Sequence, residues 1–172
     1  MINFTDIEPA KIRETPTYIQ DDIADYTACA MEHLAKSGYA FCPMFEAFMR
    51  SKVAAQLDMP ANIYLWKGPS AIYRDFLEEC RQKDIVLEKI EKNADEYAYN
   101  VCAAHWAGYV SRVWHYYIGM PSLTIIELYN AKQFYYQYYA GHTMDPEGWV
   151  QSILGVLDFD REAYPDPFFL DF

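Results

Sequence analysis

Residues 97–139 combine many aromatic rings with very few charges, and this combination constrains the fold more than any other feature. The segment holds ten of the sixteen tyrosines, together with Trp106, Trp114 and Phe134. Its only formally charged side chains are Arg112, Glu127 and Lys132. Burial of rings is favourable, and a tyrosine hydroxyl tolerates a half-wet position at the edge of a core or an interface. The segment is therefore predicted to be mostly buried, in its own core or against another chain.

Glycines, prolines and capping residues divide the remaining chain into segments with helical periodicity. Apolar residues recur three or four positions apart, as Ile23, Thr27 and Ala30 do. The predicted helices cover residues 21–37, 43–57, 70–82, 84–90, 93–118, 122–140 and 145–157, with 58–69 as a loop. We expect an all-α fold, a single compact domain of about six helices over residues 1–158 with a long central pair of aromatic helices.

Residues 123–140 leave one alternative open. They are rich in β-branched and aromatic side chains, which also suit a short β-hairpin turning at Asn130-Ala131-Lys132. The turn lacks glycine, and alanine and lysine favour helix, so a single helix is the preferred interpretation.

The formal net charge of −11 is concentrated at the two ends of the chain. Residues 1–26 carry six acids and two bases, and residues 145–172 carry seven acids and one base. Phosphates and anionic lipids repel such ends, so neither direct nucleic-acid binding nor membrane binding is expected. A protein partner with a basic surface is favoured instead.

The sequence also indicates a cytoplasmic location. The first residues lack the basic head and apolar middle of a secretory signal, and no apolar run reaches the roughly 18 residues of a spanning helix. The four cysteines are spread out without a close pair, and we expect them to be buried free thiols: Cys29, Cys42, Cys80 and Cys102.

No pattern of catalytic or metal-binding residues stands out. Cys102 and His105 are three residues apart, but no second close pair completes a zinc site. Nucleophile elbows and phosphate-binding glycine loops are absent from the sequence. A non-enzymatic protein without cofactor or metal is therefore predicted.

Two other features indicate contact with a partner. In a helix, the aromatic side chains of the run FYYQYY at 134–139 would lie on all sides of the helix axis. The tail at 159–172 alternates acidic residues with large aromatic ones. The tail would either pack on the domain as a strap or extend to a partner, with its acids steering association. The predicted partner-binding residues are Tyr135, Tyr136, Tyr138, Tyr139, Asp160, Glu162, Asp166 and Asp171.

In size, acidity and lack of catalytic motifs, the chain is similar in general character to phage-encoded inhibitors of host defence, such as anti-CRISPR and antirestriction proteins. That similarity implies an inhibitor or adaptor that occludes the basic surface of a nucleic-acid enzyme. A second hypothesis is an enzyme or small-molecule-binding domain with an aromatic pocket around Arg112, His105, His115 and Tyr109. A third is a structural homodimer packed through the tyrosine-rich helix.

Overall fold

Nine α-helices make up most of the chain that the computed structural model describes, which is residues 12–60 and 62–157. In chain order they are α1 (Thr17–Lys36), α2 (Phe41–Met49), α3 (Lys52–Leu57), α4 (Tyr64–Lys67), α5 (Pro69–Gln82), α6 (Tyr97–Ile118), α7 (Ser122–Leu128), α8 (Ala131–Gly141) and α9 (Pro146–Val156). The described residues contain one isolated β-bridge and no strand, so the predicted all-α class is confirmed. The predicted tail, 159–172, lies outside the described residues.

Helices α1 and α6 form the central pair of the domain, and small residues let them approach closely. A Cβ added to Gly108 of α6 would lie 2.9 Å from the Cα of Ala28 and 3.0 Å from the carbonyl oxygen of Thr27, both in α1. The predicted inward side of α1 is confirmed, because Ile23, Thr27 and Met31 are fully buried. The two backbones are therefore in contact at this crossing, with no room for a side chain on α6.

Aromatic rings from α6, α8 and α9 form the centre of the core. The Trp149 ring lies 4.9 Å from Trp106, 6.1 Å from Trp114 and 5.8 Å from Phe134, measured between centroids. Edge-to-face pairs at such distances each add about 0.5–1.5 kcal/mol beyond the burial of their area. The ring-rich segment was predicted to be mostly buried, in its own core or against another chain. The structure confirms an aromatic core, whereas Tyr136 and Tyr139 of the segment are each 76% exposed.

Two predicted helices are each divided by a capping residue. In the segment predicted at 43–57, Ser51 ends the first part and accepts a hydrogen bond from the Ala54 amide, which starts α3. In the segment predicted at 122–140, Asn130 caps α8 in a reciprocal capping box with Gln133. Both the single helix and the hairpin at 122–140 were therefore wrong, since the proposed turn residue begins a new helix.

The helix predicted at 84–90 was also wrong. This segment is extended and pairs with the loop after α1: the Ile90 amide donates to the Gly38 carbonyl at 2.8 Å, and the Ala40 amide donates to the Glu88 carbonyl at 2.9 Å. These long-range hydrogen bonds replace the local ones that a helix would make. Two predicted boundaries also differ from the structure. Helix α6 begins at Tyr97 rather than at residue 93, and the segment predicted as a loop at 58–69 contains the short helix α4.

The cysteines are free, but they are not all buried as predicted. Cys80 is buried and Cys42 is half-buried, whereas Cys29 and Cys102 are exposed. Cys29 lies between the buried Ala28 and Ala30, so helical geometry turns it away from the core.

No helix of the described residues combines the length and the apolar character that crossing a membrane requires.

Candidate functional site

Three surface depressions join into one groove that runs along α6 between α1 and α9. The first, of about 460 Å³, shares Tyr109 and Pro146 with a second of about 180 Å³. The second shares Tyr117, Asp145 and Glu147 with a third of about 250 Å³. Because neighbouring depressions share lining residues, they adjoin one another on the surface, and we call the three together the acidic groove.

Helix α6 forms the floor of the acidic groove. Residues 102, 105, 109, 113 and 116 are three or four positions apart, and each lines the first or the second depression. This spacing places them on one side of the helix. Helix α1, the end of α8 and the start of α9 supply the walls, so the groove depends on the packing of these elements around α6.

The groove is acidic, and among the described residues no lysine or arginine lines it. Its carboxylates come from Asp21 and Glu32 of α1, and from Asp145 and Glu147 at the start of α9. Burial raises the pKa of the Tyr109 hydroxyl, and the negative charges of nearby acids, Asp25 and Asp21 first, raise it further. The groove therefore favours positively charged ligands.

The Glu32 carboxylate of the groove contacts two basic side chains. Glu32 Oε2 lies 3.0 Å from His105 Nδ1, and Glu32 Oε1 contacts the exposed ammonium of Lys36. The hydrogen bond from Lys36 is the largest of the influences that hold the pKa of Glu32 below its usual value, against the effect of burial. Glu32 is therefore charged at neutral pH.

A second polar cluster lies inside the domain, where the end of α3 meets α6 and α7. Asp58 Oδ1 accepts hydrogen bonds from Arg112 at 2.8 Å and from the Ser122 hydroxyl at 2.6 Å, and Oδ2 accepts from the Ser122 amide at 2.8 Å. Arg112 is fully buried and Asp58 is nearly so. This ion pair joins positions 54 residues apart in the sequence and fixes α3 against α6 and α7.

Asp58, His115 and Ser122 are residue types of a catalytic triad, but their contacts are different. Ser122 donates its proton to Asp58, whereas a nucleophilic serine donates to histidine. His115 Nδ1 lies 2.8 Å from the Met120 carbonyl oxygen, and burial lowers the pKa of the ring to about 4. Ser122 borders a small depression of about 90 Å³, which His115 does not line. The cluster is therefore arranged to hold helices together rather than to activate a nucleophile.

The predicted partner-binding tyrosines divide into two pairs. Tyr135 and Tyr138 are half-buried and pack against Tyr99 at centroid distances of 4.8 and 5.2 Å. Tyr136 and Tyr139 are each 76% exposed and lie one turn apart on the outer side of α8. Of the four, only Tyr138 lines the acidic groove. The predicted tail residues Asp160, Glu162, Asp166 and Asp171 lie outside the described residues.

The residues of the predicted ligand pocket lie in two separate places. His105 and Tyr109 line the largest depression, together with Cys102. Arg112 and His115 belong to the buried cluster, where Arg112 is held by Asp58. The expectation of one pocket around Arg112 is therefore corrected, because Arg112 and His115 lie on the inward side of α6, whereas His105 and Tyr109 lie on its groove side.

Sequence reasoning did not assign Asp21, Glu32, Asp145 and Glu147 to a common site. The signal was the excess of acids near both ends of the chain, at 1–26 and 145–172. Folding brings Asp21 of α1 together with Asp145 and Glu147 of the α9 start, so that all three line the second depression. Among the described residues, no three histidine, cysteine, aspartate or glutamate side chains converge to hold a metal ion.

No family model, no curated protein and no solved structure matches this chain.

Proposed function

We propose that this protein is a non-catalytic binding domain that receives a basic, extended segment of a protein partner in the acidic groove. The observation that carries the proposal is the adjacency of three depressions lined by carboxylates and aromatic rings, with no lining lysine or arginine among the described residues. Occupation of the groove would cover the basic surface of the partner, which makes the protein an inhibitor or adaptor acting in the cytosol. Its four unpaired thiols support that location.

The chemistry of the groove suits lysine and arginine side chains. Carboxylates such as Asp21 and Glu147 attract cations over a Debye length of about 8–10 Å. The rings of Tyr109 and Tyr117 offer apolar surface for the aliphatic stems and negative faces for the charged heads. A basic segment would therefore gain from packing as well as from charge.

The length of the groove sets the size of the segment. Its floor runs along α6 from Val101 to Tyr117, which is about 24 Å at 1.5 Å per residue. An extended chain covers this distance with roughly seven residues at about 3.3 Å each. The proposed ligand is thus a short basic peptide segment, such as a loop that borders a nucleic-acid-binding cleft.

The proposal also includes the partner contacts that the sequence predicts outside the groove. Tyr136 and Tyr139 are exposed and available to the body of a partner or to a second copy of this chain. The acids of the tail would extend the negative surface toward the same basic partner.

The proposal is tested with a defined seven-residue peptide that alternates arginine and leucine, and with a matched peptide of glutamate and leucine. Nuclear magnetic resonance titration should place the arginine peptide on α1, α6 and α9. The double variant Asp21→Asn, Glu147→Gln should weaken its binding about two- to thirtyfold, because each charge contributes about 0.2–1 kcal/mol.

The control is Glu91→Gln, Asp95→Asn, which removes two exposed acids outside the groove. It removes the same net charge, so general attraction between opposite charges would weaken equally in both variants. Equal weakening, or equal binding of the glutamate peptide, would refute the proposal.

A further inference from the structure

The depression with the greatest volume of the three in the acidic groove encloses about 460 Å³, within the range of about 300–1,000 Å³ typical of ligand sites. Its lining combines aromatic rings with a single formally charged side chain, Glu32. We call it the ring chamber, and the lining residues used below are Glu32, His105, Trp106, Tyr109, Tyr138 and His142.

The rings of the chamber are held in fixed positions by their neighbours. Trp106 and Tyr138 both line the chamber and contact each other, with centroids 6.0 Å apart and planes at 64°. His142 stacks on Tyr138 at 4.8 Å, and Trp106 packs on Trp149 of the core. A chamber with several rings on different sides can surround a cation with their electron-rich faces.

The polar atoms of the chamber also favour a cation. His105 Nδ1 faces the Glu32 carboxylate, and His142 Nδ1 faces the Tyr138 carbonyl oxygen. Both partners accept hydrogen bonds at these positions, so each Nδ1 donates a proton to its partner. Four acids act on Tyr109 at the inner end of the chamber: Asp25, Asp21, Asp145 and Glu147.

A small anion fits the ring chamber poorly. No lysine or arginine of the described chain lines it, and Lys36 contacts Glu32 without lining the chamber. Helix α9 begins at the lining residue Pro146, which has no backbone N–H to donate to an anion. The N–H groups of a primary ammonium would lack hydrogen-bond acceptors where they face the rings. In an N-methylated ammonium, apolar methyl groups replace these N–H groups, and they can pack on the rings while the positive charge is kept.

We propose that the ring chamber binds an N-methylated ammonium group, as carried by a trimethylated lysine side chain or by a small quaternary amine. Trp106, Tyr109 and Tyr138 surround the methyl groups, and Glu32 supplies the nearest negative charge. The inference deepens the proposed function, since the chamber is the largest depression of the groove that receives the basic segment.

The first test compares choline with 3,3-dimethyl-1-butanol, in which carbon replaces the charged nitrogen and the shape is unchanged. Titration followed by nuclear magnetic resonance should give choline an affinity at least about fivefold higher, since cation–π attraction acts only on the charged compound. Equal or tighter binding of the neutral compound would overturn the inference and define the chamber as an apolar site.

The second test uses two leucine variants of α8. Tyr138→Leu removes a ring of the chamber and should weaken choline binding at least about fivefold, whereas Tyr136→Leu removes an exposed ring outside it and should leave binding unchanged. Equal losses would overturn the inference. Glu32→Gln keeps every ring and should also weaken choline binding, so it decides the question if Tyr138→Leu is unfolded.

A lysine-containing basic peptide and its trimethyl-lysine form separate this inference from the proposed function. Peptide binding that methylation does not strengthen would overturn the inference and leave the proposed function intact. Selective binding of choline without binding of either peptide would support the inference and refute the proposed function.

Discussion

Replacement of Arg112 by methionine should destabilise the protein strongly without changing its surface. Arg112 is fully buried, and its guanidinium lies 2.8 Å from Asp58 Oδ1. Methionine keeps much of the length and apolar volume of the side chain but removes the positive charge. Asp58 then keeps two hydrogen bonds from Ser122, yet it remains an uncompensated charge inside the domain.

The expected loss is about 3–5 kcal/mol in the free energy of unfolding, which is the usual effect of removing one partner of a buried ion pair. Domains of this kind have total stabilities of about 5–15 kcal/mol, so the variant should unfold at a much lower urea concentration. The loss should be far smaller for Arg74→Met, because Arg74 is exposed and its pair with Asp75 contributes at most about 1 kcal/mol.

Urea unfolding followed by tryptophan fluorescence and circular dichroism measures these differences. The decisive variant is the double replacement Asp58→Asn, Arg112→Met, which removes both charges. It should be more stable than Arg112→Met alone, because the unpaired carboxylate is gone. The single variant Asp58→Asn completes the cycle. If the losses of the two single variants add up to the loss of the double variant within about 0.5 kcal/mol, the two side chains are not coupled and the reasoning is refuted.

Two further predictions concern α6. Gly108→Ala should lower the free energy of unfolding by about 1–2 kcal/mol, because the added methyl group meets the backbone of α1. The control Gly155→Ala, which has open space around it, should raise the free energy of unfolding by up to about 1 kcal/mol. Equal effects of the two variants in urea unfolding would contradict this prediction. Burial lowers the pKa of His115 to about 4, against about 6.5 in an unfolded chain, so only the unfolded chain gains this proton as pH falls between these values. The free energy of unfolding should therefore fall by about 2 kcal/mol from pH 6.5 to 5. His115→Gln should remove this part of the pH dependence, whereas His33→Gln, which replaces an exposed histidine, should keep it. Parallel pH profiles for the two variants would contradict the prediction.

The sequence was informative about the fold where local signals agreed with packing. Asp145 followed by Pro146 predicted the start of α9, and the Asp145 carboxylate does accept a hydrogen bond from the Gly148 amide. The caps Ser51 and Asn130, which divide two predicted helices, are local signals, whereas a long-range contact explains the error at 84–90. The pairing of residues 88–90 with the loop after α1 prevents a helix that local spacing favoured, and no short-range pattern signals that pairing.

The site was predictable only in part, for a similar reason. The acidity of both chain ends indicated a basic partner, but only the fold places Asp21 beside Glu147. Arg112 illustrates the opposite case. A lone arginine among rings suggests a ligand clamp, and the partner that occupies it, Asp58, is 54 residues away in a segment expected to be a loop.

The contact between α1 and α6 at Gly108 also limits how this protein can evolve. Because a single methyl group at position 108 would meet backbone atoms of Thr27 and Ala28, an enlargement there must be accompanied by a shift of the whole first helix. Such a shift would also move Asp21 and Glu32 relative to α6. Selection on the shape of the groove would therefore act on a residue that never touches a ligand, and drift would be fastest at outward positions far from the groove, such as Val86.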